Sequence, residues 1–214
     1  ERLVESERVL YVDTDVVFVQ PVERLWRAWA AVNERQLAAM ARFSENTHGH
    51  WYANGALHPF YEPYGVNSGV MLMNLTRMRA FNWTQTLSAL YTQYSEVIPA
   101  GDQDLLNIFF HDYPDALFEL DCRWNYRTDH CLHDRTKDCD LAATHGIALL
   151  HGNKRAFVNE RPFRTVYETI RDFDASKDRK LLLTEINESL RRKSKSKLYS
   201  SKCDVIAHYI KNIV

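Results

Sequence analysis

Residues 9–19 read Val-Leu-Tyr-Val-Asp-Thr-Asp-Val-Val-Phe-Val. Four apolar residues run directly into Asp13-Thr14-Asp15, and four more apolar residues follow. An unbroken β-branched and aromatic run bounded by polar residues is typical of a strand buried on both faces, as in parallel α/β sheets. Ligands of open α/β sheets bind beyond the carboxyl ends of the strands. The sequence therefore predicts that the two aspartates lie at a ligand site.

The rest of the chain alternates between helical and strand patterns. The strand patterns contain Asn67-Ser68-Gly69, which predicts a special turn, and bring His151 to a strand end. This alternation predicts an α/β fold. Apolar spacing and turn signals predict helices over residues 22–40, 85–98, 102–110, 160–172 and 177–193, and strands over 66–73 and 147–150.

The position of the first strand bears on domain organisation. Only twelve residues precede Asp13, whereas a nucleotide-binding α/β half needs two or three strands, at about 30 residues per βαβ unit. We therefore expect residues 1–172 to be the carboxyl two-thirds of a larger catalytic domain that lacks its amino-terminal nucleotide-binding strands. We expect residues 173–214 to form a basic helical C-terminal extension.

Composition excludes several classes of protein. The 214 residues carry 27 basic and 28 acidic side chains and are 45% hydrophobic, which excludes a largely disordered chain. The balanced charge gives no reason to expect nucleic-acid binding, and no uncharged apolar stretch reaches the ~20 residues that span a bilayer. Residues 179–202 hold eight basic and two acidic side chains. This surplus fits a solvated helix face or contact with an anionic partner or membrane surface.

Cysteines and glycosylation sequons indicate the compartment. The four cysteines contain no CxxC pair, so we expect no structural zinc site. They fit either a disulfide-pinned loop, with three connectivities open, or buried reduced thiols. Asparagine sequons favour a secretory compartment. The cysteines are Cys122, Cys131, Cys139 and Cys203, and the sequons begin at Asn74, Asn82 and Asn187.

Several polar residues end apolar strands or open helices. Asp13 and Asp15 are one residue apart, so they point to the same side of a strand and together can hold a divalent cation. His151 would complete a mixed oxygen and nitrogen ligand set, which suits Mn²⁺ better than Ca²⁺. Such an ion would neutralise the charge on a departing phosphate. The full set is Asp13, Asp15, Asn67, Ser68, Asp102, Gln103, Asp104 and His151.

Four motifs in order resemble the retaining glycosyltransferases of family 8. They are Tyr11-Val12-Asp13-Thr14-Asp15, Gly65-Val66-Asn67-Ser68-Gly69-Val70-Met71-Leu72-Met73-Asn74, Gly101-Asp102-Gln103-Asp104-Leu105-Leu106-Asn107 and Leu150-His151-Gly152-Asn153. The segment Cys122-Arg123-Trp124-Asn125-Tyr126-Arg127-Thr128-Asp129-His130-Cys131 is similar to that of the glucoside xylosyltransferases within this family. The resemblance runs from about residue 7 to residue 172.

The resemblance implies a GT-A fold and the retaining transfer of xylose from UDP-xylose. The implied linkage is α1,3, to O-linked glucose on EGF-like repeats. It implies a Golgi or endoplasmic reticulum lumen location and a single-pass type II membrane protein whose amino-terminal anchor lies outside this chain. The alternatives are a family 8 transferase that uses UDP-glucose or UDP-galactose, an inactive fragment that acts as a binding module, and a metal-dependent phosphoesterase.

The resemblance also implies a role for each candidate residue. Mn²⁺, with Mg²⁺ as the alternative, is bound by Asp13, Asp15 and His151. Asp102 and Gln103 are the catalytic candidates, and Lys154 contacts the donor phosphates. Independently of the resemblance, Trp124 and Tyr126 are expected nearer the acceptor, because a loop tied by cysteines is a stable place to present contacts, with ordinary core packing as the alternative. The donor-binding set is Asp13, Asn67, Ser68, Asp102 and Lys154.

Overall fold

A computed structural model describes residues 5–43, 51–132, 139–194 and 201–210. The chain forms two compact units. The first unit comprises the described residues within Glu1–Asp13 and Glu23–Asp121, and the second comprises those within Thr14–Val22 and Cys122–Val214.

The described residues form an α/β arrangement, as the sequence predicts. The strands are β1 (Arg8–Val12), β2 (Val16–Phe18), β3 (Ala38–Arg42), β4 (Val66–Asn74), β5 (Leu117–Leu120) and β6 (Leu149–His151). The helices are α1 (Val22–Trp26), α2 (Trp51–Gly55), α3 (Leu75–Ala80), α4 (Trp83–Tyr94), α5 (Asp102–Asp112), α6 (Asp129–Leu132), α7 (Asp140–His145), α8 (Ala156–Asn159), α9 (Arg161–Arg171), α10 (Arg179–Ser194) and α11 (Ile206–Tyr209).

The first unit is built on a four-stranded sheet in the order β1-β4-β3-β5. The nine-residue strand β4 is antiparallel to β1 and β3, and β3 is parallel to β5. Its apolar residues pack against α3, α4 and α5 in one core. Arg42 of β3 makes a bidentate ion pair with Glu119 of β5, at 2.7 and 2.9 Å, which ties the parallel pair together.

Two of the elements predicted for this unit are wrong. Strand β1 pairs antiparallel with β4 alone in the described sheet, and its side chains are exposed or only half-buried, with Tyr11 40% exposed, so it is not a strand buried on both faces. The helix predicted over residues 22–40 ends early: α1 is followed by a 3₁₀ turn, Arg27–Ala30, and then by β3. Residues 38–41 are alanine-rich and nearly inaccessible. Pairing with two strands outweighs their helix propensity, which is worth under ~1 kcal/mol per residue.

The other predicted elements are confirmed within one to three residues at most ends. They are the strands at β4 and β6 and the helices at α4, α5, α9 and α10. The special turn predicted at Asn67-Ser68-Gly69 is wrong: these residues lie inside the continuous strand β4, and the irregularity there is a register shift against β3 between Met40 and Arg42. Helix α3 begins after β4 because the Asn74 side chain accepts the amide of Arg77, at 3.0 Å. The sequon asparagine Asn74 is therefore a buried helix cap.

The second unit joins β2 and β6 in an antiparallel pair and surrounds them with helices. Two disulfides, Cys122–Cys139 and Cys131–Cys203, settle the connectivity that the sequence leaves open. All four cysteines lie in the core of this unit.

The described part of the C-terminal stretch packs into the core of the second unit. Leu183, Ile186 and Leu190 of α10 share that core with Phe163 and Val166 of α9. The domain boundary predicted at residue 172 stays a prediction. Residues 195–200 and 211–214 of the predicted C-terminal extension lie outside the described residues.

No helix among the described residues has the length and apolarity needed to cross a bilayer.

The two disulfides differ in the length of chain they close, 72 residues for Cys131–Cys203 and 17 for Cys122–Cys139. Replacing each pair by alanine removes equally buried sulfurs, and loop-closure entropy then predicts that loss of the longer bridge costs about 1 kcal/mol more. Urea unfolding of both double variants under non-reducing conditions measures this difference. An equal or larger cost for Cys122–Cys139 would contradict the expectation.

Candidate active site

In the first unit, the structure brings Asn67 and Ser68 of β4 together with Gln103 of α5. Oε1 of Gln103 accepts Nδ2 of Asn67 at 2.6 Å and the amide of Ser68 at 3.3 Å. Oδ1 of Asn67 accepts the amide of Gly69 at 3.2 Å. The predicted donor-pocket residues are therefore joined in one hydrogen-bonded group.

Asn107 explains why α5 meets β4 at this point. Its Oδ1 accepts the amide of Val66 at 2.8 Å, and its Nδ2 lies 2.9 Å from the carbonyl of the same residue. Asn107 stands one helical turn after Gln103, so the two side chains share a face of α5. The sequence analysis missed this role, although a polar residue within the apolar run Leu105–Phe109 is a usable signal.

Helix α5 also places the two acidic candidates differently. Asp102 is exposed at the first position of the helix, where its Oδ1 accepts the amide of Gln103 at 2.9 Å. Asp104 is fully buried, with Oδ2 on the amide of Ala100 at 2.7 Å. Carboxylates near a helix N-terminus are stabilised by the helix dipole.

Asp13 directly follows the first unit's edge strand β1 and is oriented by two contacts. Its amide donates to the carbonyl of Gly69 at 3.0 Å, and its Oδ1 accepts the hydroxyl of Tyr11 at 2.9 Å. This hydrogen bond, helped by partial burial and the nearby negative charges, raises the pKa of Tyr11 to about 12.

In the second unit, Asp15 meets His151. Oδ1 of Asp15 lies 3.4 Å from Nε2 of His151, whose side chain is 3% exposed. Nδ1 of His151 lies 2.9 Å from Oδ1 of Asn125. An amide oxygen only accepts, so Nδ1 carries the hydrogen and the Nε2 lone pair of a neutral ring is directed at Asp15.

This pair fits a divalent cation. A histidine that binds metal through one ring nitrogen donates the other N–H to an oxygen, as His151 does to Asn125. Asp15 supplies the carboxylate oxygen, and Thr14 alone separates it from Asp13 in the chain. Asn125 is a residue whose role here the sequence analysis missed.

The backbone beside the Asp15–His151 pair is held by a hydrogen bond and by close packing at Gly152. The amide of Gly152 donates to the carbonyl of Asp15 at 2.7 Å. A Cβ at Gly152 would lie 2.2 Å from the ring of Phe157, which is closer than atoms can approach. Glycine after His151 therefore lets the chain hold Asp15 beside the imidazole.

The family profile described as Glycosyl transferase family 8 matches residues 1–156. The chain belongs to this family. It is 44% identical to glucoside xylosyltransferase 2 of Mus musculus over 184 residues, which are 80% of this chain and 41% of that protein. It is 41% identical to glucoside xylosyltransferase 1 of Danio rerio over 200 residues, covering 87% of this chain and 49% of that protein.

The solved structures show the fold of this family 8 chain. It matches the apo form of mouse xyloside xylosyltransferase 1 with a TM-score of 0.50 and 24% identity, over 70% of this chain and 59% of that one. The fold is of the GT-A type, as the sequence resemblance implies. The chain spans less than half the length of the curated relatives it matches.

Among the remaining predicted residues of the family 8 site, Lys154 makes an ion pair with Asp129 at 3.0 Å, and its side chain is 65% exposed. Burial disfavours the ionised form of Asp129, but the positive charges of Arg127 and Lys154 outweigh it and hold the pKa of this carboxyl below its usual value.

Trp124 and Tyr126 lie in the interior. They are 7% and 1% exposed, respectively. The backbone of Tyr126 bonds to Leu149 and His151 of β6, at 3.0 and 2.9 Å. This burial leaves almost no ring surface for an acceptor and argues against the contact predicted for them. The segment supports the His151 strand.

His130 gives this segment a measurable pH dependence. Burial, together with the charge of Arg127, lowers the pKa of His130 from 6.5 to about 3. Below pH 6.5 the unfolded chain binds a proton that the folded chain does not, so the unfolding free energy falls as the pH falls. His130 is expected to contribute a loss of about 2 kcal/mol between pH 7 and pH 5.

Urea unfolding of the wild type and His130→Asn at both pH values measures this loss. The variant is expected to lack it, whereas His111→Asn, at an exposed histidine, should retain the wild-type dependence. The same pH dependence in the wild type and His130→Asn would show that His130 does not carry the effect.

Proposed function

We propose that this protein is a retaining transferase that moves xylose from UDP-xylose to O-linked glucose on EGF-like repeats, in α1,3 linkage. The observation that carries the proposal is the 41–44% identity to glucoside xylosyltransferases 1 and 2 over most of this chain. The Gln103 group of the first unit and the Asp15–His151 pair of the second are polar arrangements consistent with it.

The proposed cofactor is Mn²⁺, with Mg²⁺ as the alternative, held by Asp13, Asp15 and His151. The mixed oxygen and nitrogen set and the orientation of the His151 ring support this assignment. When bound, the ion supplies positive charge against the leaving diphosphate.

The proposed roles of the other residues follow their placement. Asn67 and Ser68 line the donor-sugar pocket, and Gln103 lies beside the anomeric carbon. Asp102, exposed at the start of α5, hydrogen-bonds the donor sugar. Lys154 contributes to the phosphate clamp.

The geometry favours a front-face route to retention. A double displacement needs a carboxylate behind the anomeric carbon, whereas Gln103 carries an amide, which is a poor nucleophile, and its oxygen is already bonded to Asn67 and Ser68. In the front-face route the leaving phosphate accepts the acceptor hydroxyl proton on the side where the new bond forms.

The proposed location is the Golgi or endoplasmic reticulum lumen, as part of a type II membrane protein. The two disulfides support it, because such bonds persist in oxidising compartments.

The test is a transfer assay on an O-glucosylated EGF-like repeat with Mn²⁺ and, separately, UDP-xylose, UDP-glucose and UDP-galactose. The assay uses this chain and the protein in its full natural length, and intact mass reads the product. We expect a pentose increment from UDP-xylose alone, which a chelator abolishes because the leaving diphosphate then lacks its counter-charge.

Asp15→Asn is expected to lower the transfer rate by at least about 10-fold through weakened metal binding. The matched control is Asp172→Asn, at an exposed carboxylate paired with Arg171, which should leave the rate unchanged. A hexose increment would show that the donor is UDP-glucose or UDP-galactose and not UDP-xylose. No transfer by the full-length protein would contradict the proposed function.

A further inference from the structure

The ring of Tyr52, on α2, is held in one place by its neighbours. It is 1% exposed, and its centroid lies 4.9 Å from that of Trp51, 5.2 Å from Phe43 and 5.4 Å from Phe60. A Cβ at Gly65 would lie 2.4 Å from Cδ2 of the ring. A residue enclosed on so many sides keeps its hydroxyl in a fixed position.

The Tyr52 hydroxyl joins three side chains of α5. It lies 3.0 Å from Oδ1 of Asp104, 3.1 Å from Nε2 of Gln103 and 2.9 Å from Nδ2 of Asn107. A tyrosine hydroxyl has one hydrogen to donate and lone pairs with which to accept. The partners therefore decide where the single hydrogen goes.

The hydrogen goes to Asp104. Oδ2 of this buried carboxylate already accepts the amide of Ala100 at 2.7 Å, and Oδ1 accepts the Tyr52 hydroxyl. The lone pairs of the hydroxyl are then directed at N–H donors, which Gln103 and Asn107 supply. Each hydrogen bond in this chain fixes the direction of the next.

This chain of bonds sets the orientation of the Gln103 amide. With Nε2 turned to Tyr52, Oε1 faces β4 and accepts from Asn67 and Ser68 at 2.6 and 3.3 Å. The opposite orientation would direct the Gln103 NH₂ group at two other donors and its oxygen at a hydroxyl that has no second hydrogen to give.

We propose that Tyr52, with Asp104 behind it, is a positioning residue that fixes the Gln103 amide for the transfer reaction. The inference rests on the proposed function, because it assigns a supporting residue to the same site. Reacting groups must be held within a fraction of an ångström of their productive geometry, and loss of a supporting contact lowers the rate of the chemical step.

Tyr52→Phe removes the hydroxyl and keeps the enclosed ring. In the assay with UDP-xylose and an O-glucosylated EGF-like repeat, kcat is expected to fall about 5- to 10-fold, the size of one lost hydrogen bond. The donor KM should change by less than about 2-fold, because donor contacts remain. Tyr61→Phe is the matched control: it removes a hydroxyl that donates to Glu119 at 2.8 Å in the same unit, and it should behave as the wild type.

Asp104→Asn tests the direction of the bonds without changing the volume of a side chain. The amide of Ala100 requires an oxygen, so the new NH₂ group must face Tyr52. The tyrosine hydrogen then turns away from residue 104 and towards Gln103 or Asn107. We expect kcat to fall as in Tyr52→Phe, and a wild-type kcat would overturn the proposal.

A double-mutant cycle separates positioning from general structural damage. In a Gln103→Ala background, Tyr52→Phe should cause no further loss of kcat, because its effect acts through Gln103. The same fold loss in both backgrounds would overturn the proposal.

Side-chain amide signals in ¹H–¹⁵N spectra give a readout that does not need activity. The Gln103 NH₂ signals, assigned by their absence in Gln103→Ala, should shift in Tyr52→Phe and stay unchanged in Tyr61→Phe. Unchanged Gln103 signals in Tyr52→Phe would overturn the positioning role. If the wild type transfers no sugar, the proposed function fails and the spectra still decide the role of Tyr52.

Discussion

The hydrogen bonds between the Asn107 side chain and the backbone of Val66 are the contact on which the first unit's site depends. They attach α5 to the start of β4, where the pairing register of β3 shifts between Met40 and Arg42. A buried backbone amide without a partner costs about 1–3 kcal/mol, so this contact is strongly specified. Its consequence is that Gln103, one turn earlier, meets Asn67 and Ser68.

In the second unit, too, a buried asparagine side chain orients a residue of the candidate site. Asn125 is almost completely buried and fixes the ring of His151 through Nδ1, which leaves Nε2 directed at Asp15. In each unit a buried asparagine therefore sets the direction of a residue of the proposed chemistry. Asparagine suits this role because it donates and accepts without bringing a charge into the interior.

Most of the strands and helices, and the polar residues that form the candidate site, could be predicted from the sequence. The pattern of residues 9–19 indicated that Asp13 and Asp15 lie at a strand end. The spacing of apolar residues predicted β4, α4, α5, α9 and α10. These features are local, since a side chain's spacing follows directly from helix or strand geometry. The metal, donor-binding and catalytic roles stay predictions.

The missed features depend on contacts between distant parts of the chain. Residues 38–41 become a strand because β4 and β5 flank them, and β1 has one neighbour in the described sheet and side chains that are exposed or half-buried. Tyr52 meets Gln103 across 51 positions, and Asn125 meets His151 across 26. Trp124 and Tyr126 were expected nearer the acceptor, with core packing as the alternative, and the sequence could not decide between the two because the pairing of Tyr126 with β6 joins distant parts of the chain.

The most direct test of the proposed metal chemistry is a crystal structure of the protein with Mn²⁺, with anomalous scattering recorded at the manganese edge. We predict a peak bonded to Nε2 of His151 and to carboxylate oxygens of Asp13 and Asp15, with Nδ1 still on Asn125. A peak bonded to Nδ1, or no peak at these residues, would contradict this prediction.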